Sequence, residues 1–342
     1  MRSTLTEIAA SAGVSVSTVS KVLNGRTDVS PATRDRIARL LADHGYRTAG
    51  TPTAGSGIVD LVIGGLQSPW ADALVAGAVG AGVEADCRIV VNDVPDKEGR
   101  KSKELAATLE RVAARGTDGV LIVHHLPARR DRDRLAAKGV PLVIIDPPEE
   151  PGAGVRSVAS TNWHGGLAAT RHLLELGHHR IAALGGPPHT WSARARVDGY
   201  RAALLQAGVP VDEKLVHSAA FSPEAGRAYA LHLLDLPEPP TAIAAGNDAQ
   251  AFGVLQALAE RGLRAPYDMS VTGFDDVSVA AWAAPALTTV RQPLEAMAAT
   301  AFRMLRLVTT GSAAPPEQVE LATTLIVRES TAPPSKESSP SQ

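Results

Sequence analysis

The chain opens on three short runs whose apolar residues recur every three to four positions, the spacing of helices that bury one face. In the first, Leu5, Ile8, Ala9 and Ala12 form the stripe, Thr4 followed by Glu7 gives a capping-type start, and Gly13 stops it. In the second, Ser15 is placed to cap a helix in which Val16, Val19, Val22 and Leu23 alternate with Ser17, Thr18, Ser20 and Lys21. The third runs over 31–44, with Ser30 as cap, Pro31 at the first helical position, Ile37, Leu40 and Leu41 buried, and Gly45 ending it. Two short helices about a glycine turn, followed by a third, predict a helix-turn-helix head.

The pattern then changes period. From Arg47 to Gly57 the chain reads RTAGTPTAGSG, a linker with no apolar stripe. Beyond it, β-type runs beginning at Ile58, Arg88, Gly119 and Pro141 alternate with helical stretches at 70–83, 97–115 and 128–138. A second series places strands from Arg180, Thr241 and Met269 among helices at 162–176, 192–207, 223–234 and 249–261. Such alternation means parallel sheets. The length fits two doubly wound lobes, although on pattern alone a single large Rossmann-like sheet is the alternative.

With 342 residues, 44% hydrophobic and 20% charged, the chain has material for more than one core. No apolar run approaches the roughly 20 residues that span a bilayer, and the first residues lack the apolar core of a signal peptide, so a cytoplasmic, nucleoid-associated protein without membrane partners is expected. The lone Cys87 excludes an intrachain disulfide and any multi-cysteine zinc site, and reads as a small core residue. The net charge of −2 divides unevenly: residues 1–50 carry seven basic against four acidic side chains, giving +3 and leaving −5 for the rest. A basic head on an acidic body suits a head that binds phosphates.

From Leu5 to Tyr46, with A-x-x-A-G-V-S-x-x-T-V-S-K-V-L-N-G and V-S-P-x-T-R-x-R-I, the sequence closely resembles the DNA-binding domain of the LacI/GalR family of bacterial repressors. The remainder resembles that family's regulatory core, itself similar to periplasmic sugar-binding proteins, through LELGHHRIAALGGP, SARARVDGYRAAL, AGNDAQAFGVLQAL, SVTGFDD and PALTTVRQP. The implied fold is a small all-α helix-turn-helix head followed by an α/β core of two doubly wound parallel-sheet lobes. The implied organisation is a head at 1–49, a linker at 50–57, an effector-binding and dimerisation domain at 58–330, and a disordered tail at 331–342. Three crossings between lobes would divide the core into 58–160 plus 291–321 and 161–290 plus 322–330, the helix after Pro293 completing the first lobe. One departure stands out: the family's hinge carries a Leu that wedges into the minor groove, and none occurs between Arg47 and Gly57.

In the head, the N-terminal end of the second helix should enter the major groove. Val16 suits a thymine methyl, Ser17 and Ser20 suit base edges, and Lys21 suits guanine or phosphate. The resemblance adds Thr4, Leu5, Ser15, Asn24, Ser30 and Thr33 as flanking contacts. So small a module needs a second copy on a neighbouring half-site, which implies a homodimer, joined through the regulatory lobes, on a near-palindromic double-stranded operator.

In the core, ligands of open α/β sheets bind at the carboxyl ends of strands, and two lobes turn those ends toward one cleft. Asp146, Asn247, Asp248, Asp275 and Asp276 occupy such ends, and Arg194 and Arg196 add donors. A strand-end Asp or Asn is equally a turn former or helix cap, and Asp248 and Asp276 are expected to be the caps. The resemblance selects Asp146, Arg196, Asn247 and Asp275 as polar effector contacts and Phe221 as the ring beside the ligand. Trp70, Asn162 and Trp163 are further lining candidates that could instead be core.

Nothing in the sequence assembles a catalytic base, nucleophile or metal cluster. LGG at Leu184 lacks a nucleotide fingerprint, adjacent His178 and His179 point to different faces, and His124 with His125 lack the context of a triad. No enzyme activity, cofactor or metal is therefore expected. The reading is a dimeric repressor released by a sugar bound between the lobes, with a co-repressor regulator responding to a purine as the alternative.

Overall fold

In the computed structural model, which describes residues 5–23, 29–43, 56–94 and 101–335, the head consists of α1 (Leu5–Ala12), α2 (Val16–Leu23) and α3 (Pro31–Asp43). Gly13 takes φ 64°, where a side chain would be strained, and the turn it makes lets Val14 N–H return to the Ala9 carbonyl at 3.0 Å. Ser15 Oγ accepts from Thr18 N–H at 3.2 Å and starts α2. Ile8, Val19, Ile37 and Leu41, one or two from each helix, are fully buried together. The sequence-predicted contacts Thr4 and Asn24, and the linker positions 50–55, lie outside the described residues.

The first lobe is built from β1 (Ile58–Ile63), α4 (Pro69–Glu84), β2 (Arg88–Asp93), α5 (Lys101–Arg115), β3 (Gly119–Val123), α6 (Arg129–Ala137), β4 (Leu142–Ile145) and β5 (Ser157–Ser160). The chain then crosses into the second lobe. There follow α7 (Asn162–Glu175), β6 (Ile181–Gly185), α8 (Trp191–Gln206), β7 (Val216–Ser218), α9 (Pro223–Leu234), β8 (Ala242–Ala245), α10 (Asp248–Glu260), β9 (Ser270–Asp275) and β10 (Thr288–Arg291). It returns for α11 (Leu294–Thr310) and β11 (Gln318–Leu321), and crosses a third time into β12 (Thr324–Ile326).

Two six-stranded sheets result, ordered β11-β5-β4-β3-β1-β2 and β12-β10-β9-β8-β6-β7. A single large sheet is thereby ruled out. Every pairing in the first sheet is parallel, as are those of the second except β12, which runs antiparallel to β10. Helices cover both faces, so the central strands β1, β3 and β4 of the first sheet are almost entirely apolar. Asp60 on β1 is the exception, fully buried but held by Asn92 Nδ2 at 2.8 Å and Arg115 Nη2 at 3.1 Å. Met297, Phe302 and Leu305 of α11 pack with Leu61, Leu74 and Leu121, so the returning helix belongs to the first core, where Cys87 also packs as a small buried residue.

The three crossings are tied to one another. Ser160 Oγ in the first donates to Gln292 Oε1 in the second at 2.6 Å, while Thr323 in the third bonds Thr161 in the first through both its backbone N–H (3.0 Å) and its hydroxyl (3.2 Å to the Thr161 carbonyl). Where a free tail was expected over 331–342, its first residues, 331 and 332, are attached. Thr331 Oγ1 lies 2.9 Å from His172 Nε2, and the Ala332 carbonyl accepts from Ser270 Oγ (2.9 Å) and lies 2.8 Å from His178 Nε2. Polar composition misled here because the segment docks through backbone and hydroxyl groups. Among the described residues, no helix is long and apolar enough to cross a membrane.

Helices α7 and α8 meet through glycines: a Cβ on Gly199 would strike the Trp163 carbonyl, and one on Gly166 the Arg196 carbonyl. Gly199→Ala should therefore cost about 1–3 kcal/mol by overpacking, read as a lowered chemical-denaturation midpoint; an unchanged midpoint would show that the helices can part freely. Burial lowers the pKa of His178 from 6.5, with the nearby charges of His172 and His179 acting the same way. Its folded pKa being depressed, the stability it contributes is full above 6.5 and is lost as pH falls through the lowered value. Melting between pH 7.5 and 5.5 should accordingly fall more steeply for the wild type than for His178→Gln, and parallel slopes would refute the assignment.

Candidate functional site

The carboxyl ends of the two sheets bring together side chains that the sequence separates by more than a hundred positions. Asp146 follows β4, Asn162 opens α7 after β5, Asp275 ends β9, and Arg196 reaches them from the second turn of α8. Several of these strand ends carry non-glycine residues at positive φ: His124 at 54°, Asp146 at 49°, Asp275 at 111° and Asp276 at 55°. Such conformations cost on the order of 1–3 kcal/mol each and persist where surrounding contacts fix them.

Arg196 is the centre. Its side chain is 7% exposed, its Nε donates to Asn162 Oδ1 at 2.8 Å, and its Nη1 donates to the Gly246 carbonyl at 2.6 Å and lies 3.5 Å from Asp275 Oδ1. The guanidinium stacks over Phe274, 3.8 Å from the ring centroid, with Phe221 at 5.6 Å on its flank. The absence of a side chain at Gly186 is what admits the Phe221 ring, since a Cβ there would overlap it. Burial lowers the Arg196 pKa, against which the charges of Asp275, Asp146 and Asp248 hold it up.

Asp275 accepts from Gln292 Nε2 at 2.7 Å. Burial pushes its carboxyl up to about 6, countered by Arg196 and Gln292 and reinforced by the negative charge of Asp146. Asp146 belongs to the first lobe and Arg196 and Asp275 to the second, each at the carboxyl end of its sheet. Between the lobes, Trp191 N–H of the second donates to the Pro148 carbonyl of the first at 2.8 Å.

His124, which the sequence reading had set aside, stands beside Asp146. Its Nδ1 is 3.2 Å from both the Asp146 carbonyl and Oδ2; both are acceptors, so Nδ1 carries the proton. The Trp70 ring meets it edge-on, centroids 6.5 Å apart. Of the residues expected at the site, Asp146, Asn162, Arg196, Phe221 and Asp275 converge, and Trp70 joins through His124. Trp163 does not: it is 38% exposed and packs its ring against His164, centroids 5.1 Å apart. Arg194 is exposed on α8, two positions before the buried Arg196.

The capping assignments are reversed. Asn247, not Asp248, caps α10, its Oδ1 accepting from Gln250 N–H at 2.9 Å, which leaves its amide N–H2 as the group available to a ligand. Asp248 lies behind the site, 1% exposed, accepting from Val277 N–H (2.9 Å) and Thr289 Oγ1. Burial, then the charge of Asp275, raises its pKa well above the carboxylate range. Asp276 caps nothing either; it receives Arg291 Nε and Arg328 Nη2, each at 2.6 Å.

In the head, Val19 and Val22 are buried while Val16 (42%), Ser17 and Lys21 are exposed and Ser20 is half-buried, so α2 presents its nominated residues on the face opposite its core. Ser15 Oγ is shared with Ser17 Oγ and Thr18 Oγ1 at 2.8 Å each, Ser30 Oγ donates to Thr33 Oγ1 at 2.8 Å, and Leu5 packs at the edge of the head core. Among the described residues no group of three metal-ligating side chains occurs.

Comparison with known proteins agrees with both halves. Residues 4–49 match the family described as bacterial regulatory proteins, lacI family, and residues 170–331 match a periplasmic binding protein-like domain. The chain is 37% identical over 345 residues to the HTH-type transcriptional regulator CelR of Thermobifida fusca, covering 96% of this chain and 98% of that protein. It is 30% identical over 340 residues to the HTH-type transcriptional regulator DegA of Bacillus subtilis, covering 97% and 99%. Among solved structures, a CelR–cellobiose complex aligns with a TM-score of 0.72 at 36% identity, covering 96% of this chain and all of the other. The lac repressor dimer bound to operator and the anti-inducer ONPF aligns with a TM-score of 0.71 at 25% identity, covering 97% and 100%. These relatives are regulators of transcription and not enzymes, and over nearly its whole length this chain belongs with them to the LacI family of DNA-binding transcription regulators.

Proposed function

We propose that the protein is a dimeric repressor, held on a near-palindromic operator and released by a neutral sugar bound between its lobes. The observation that carries the effector assignment is the charge balance of the cleft. One guanidinium, Arg196, already engaged by Asp275, Asn162 and the Gly246 carbonyl, stands with two carboxyl groups of the cleft, Asp146 and Asp275, while Asp248 behind them is closed off by Val277 N–H and Thr289 Oγ1. Such a site is rich in acceptors and short of free cations, which favours a polyhydroxylated donor and opposes a phosphorylated ligand. Rings at Phe221 and Trp70 suit the apolar faces of a pyranose. The relative solved with cellobiose is consistent with that chemistry.

On the DNA side, Val16, Ser17, Ser20 and Lys21 are the base and phosphate contacts of this reading, with Leu5, Ser15, Ser30 and Thr33 flanking, and Thr4 and Asn24 added from the family resemblance alone. Dimerisation through the core is supported by apolar side chains exposed on both lobes: Val79 (41%) and Val83 (75%) one turn apart on α4, Val91 (37%) on the edge strand β2, and Trp282 (80%). The linker, lacking Leu, contributes no minor-groove wedge in this account.

Thermal-shift titration with cellobiose, glucose, ribose, glucose 6-phosphate and hypoxanthine tests the reading. A neutral sugar should raise the melting temperature and release a duplex recovered by in vitro selection, and Asp146→Asn should weaken that sugar at least about tenfold, the loss of one charge-assisted hydrogen bond. A response to hypoxanthine with tighter DNA binding would replace the inducer by a co-repressor. Affinity should also depend on pH. Because Asp275 titrates at about 6, its acceptor is present above that pH and lost below it, so sugar affinity should fall by up to about tenfold per pH unit below 6. Isothermal titration between pH 5 and 7.5 that gives a constant Kd would remove Asp275 from the binding step.

A further inference from the structure

The cleft is not the only cavity with a defined chemistry. All strands of the first sheet are parallel, so β1, β3, β4, β5 and β11 begin at one end of the lobe, its floor. The linker enters at that end, where Asp118 anchors it: Oδ1 accepts from Ser56 N–H at 2.6 Å and Oδ2 from Gly57 N–H at 3.0 Å. In the same floor is a cavity of about 850 Å³, bounded by one face of α6 along its length, the C-terminal end of α11, the start of β4 and the 153–156 segment. Its volume is that of a small-metabolite site.

Three arginines, 129, 132 and 156, line it against one lining carboxylate, Asp133. Each retains donors. Arg156 is half-buried, and since its Nε is shut away from solvent without a hydrogen-bond partner among the described residues, contact with a cavity ligand falls to its terminal nitrogens. Arg132 commits Nη1 to the Pro127 carbonyl at 2.7 Å, one of five N–H groups. Arg129 is 88% exposed and only loosely paired, 3.9 Å from an Asp133 that is itself 70% exposed.

Opposing features are weaker. Glu317 lies close, accepting from Gly154 N–H at 3.2 Å, and the ends of α6 and α11 carry partial negative charge. The balance is still cationic, three lining arginines against Asp133 and the nearby Glu317. The planar forks of arginine match phosphate oxygens in pairs, whereas a neutral sugar would leave the guanidinium charges unanswered.

We infer that this floor cavity is a second effector site, separate from the cleft, that takes a small phosphorylated metabolite at the end of the core from which the DNA-binding head is suspended. Cleft and floor thus sort ligands by charge: acceptors and a single committed cation in one, uncommitted guanidinium donors in the other.

The test is isothermal titration of the full chain with inorganic pyrophosphate and glucose 6-phosphate, with glucose as the uncharged control. Pyrophosphate should bind with Kd of about 1 mM or tighter. Arg156→Gln, or the Arg129→Gln/Arg132→Gln pair should Arg156→Gln not fold, is expected to weaken it at least about tenfold, while Asp146→Asn and the remote surface variant Arg171→Gln leave it unchanged. A change of affinity in either direction in Asp146→Asn, most simply a gain as its negative charge is removed, would assign the anion to the cleft and overturn the inference. So would equal weakening by Arg171→Gln, which means diffuse charge, or no heat up to about 10 mM. Should the floor variants instead lower only DNA affinity and its salt slope, the arginines bind operator phosphates and not a metabolite. Sugar binding measured on the same floor variants separates failure of this site from failure of the cleft.

Discussion

The buried pair of Arg196 and Asp275 is the interaction on which the second lobe and its cleft both depend. Each side chain is 7% exposed, and a guanidinium so placed is tolerable only if its donors are met and its charge is answered. Asn162, the Gly246 carbonyl and Asp275 meet the donors, and the face of Phe274 covers what remains. Removing one partner of such a pair costs about 3–5 kcal/mol, more than the gain from any single hydrogen bond to a ligand. The pair is therefore a fixed platform, and on the proposed reading discrimination among ligands falls to the groups at its edge: Asp146, His124, Asn247, Phe221 and Trp70.

Much of this platform was legible because one physical rule, that ligands meet the carboxyl ends of parallel strands, selects positions without reference to side-chain identity. It finds Asp146, Asn247 and Asp275 from the residues that follow apolar runs. The same rule contains His124 after β3 and Gln292 after β10; they were passed over because a His pair invites a catalytic reading and because TTVR is too short and polar to stand out as a strand. β5 (SVAS) and β7 (VHS) escaped for the same reason, their register being set by neighbouring strands and not by their own apolar content. Phe274 was invisible in another way: inside an apolar strand, nothing distinguishes a core ring from one that carries a cation.

The reversed caps show where local reasoning stops. Asp and Asn are both good N-caps, and adjacent Asn247 and Asp248 cannot be ranked by propensity. Tertiary context decides: the residue that caps α10 must have an extended backbone, as Asn247 does with φ −155° and ψ 172°, while the next residue is already helical and turns inward toward Thr289 and Val277 N–H. Similarly Asp276 looks like a helix starter but sits between Arg291 and Arg328, whose positions in β10 and after β12 no local window contains.

The platform is also joined to the hinge. Asp275 receives Gln292, Gln292 receives Ser160, and these two residues lie in the second and first crossings, while Thr161 and Thr323 bind the first crossing to the third. A change in the charge of Asp275 is thus felt where the lobes pivot. Across the cleft, Asp146 disfavours ionisation of Asp275, so bringing the lobes together without a ligand drives like charges toward each other. A ligand that donates hydrogen bonds to both carboxylates converts that repulsion into a shared attraction, and it does so only in the closed arrangement. On the proposed reading this difference between the two arrangements is the free energy that a switch requires, with the pair of carboxylates as its source.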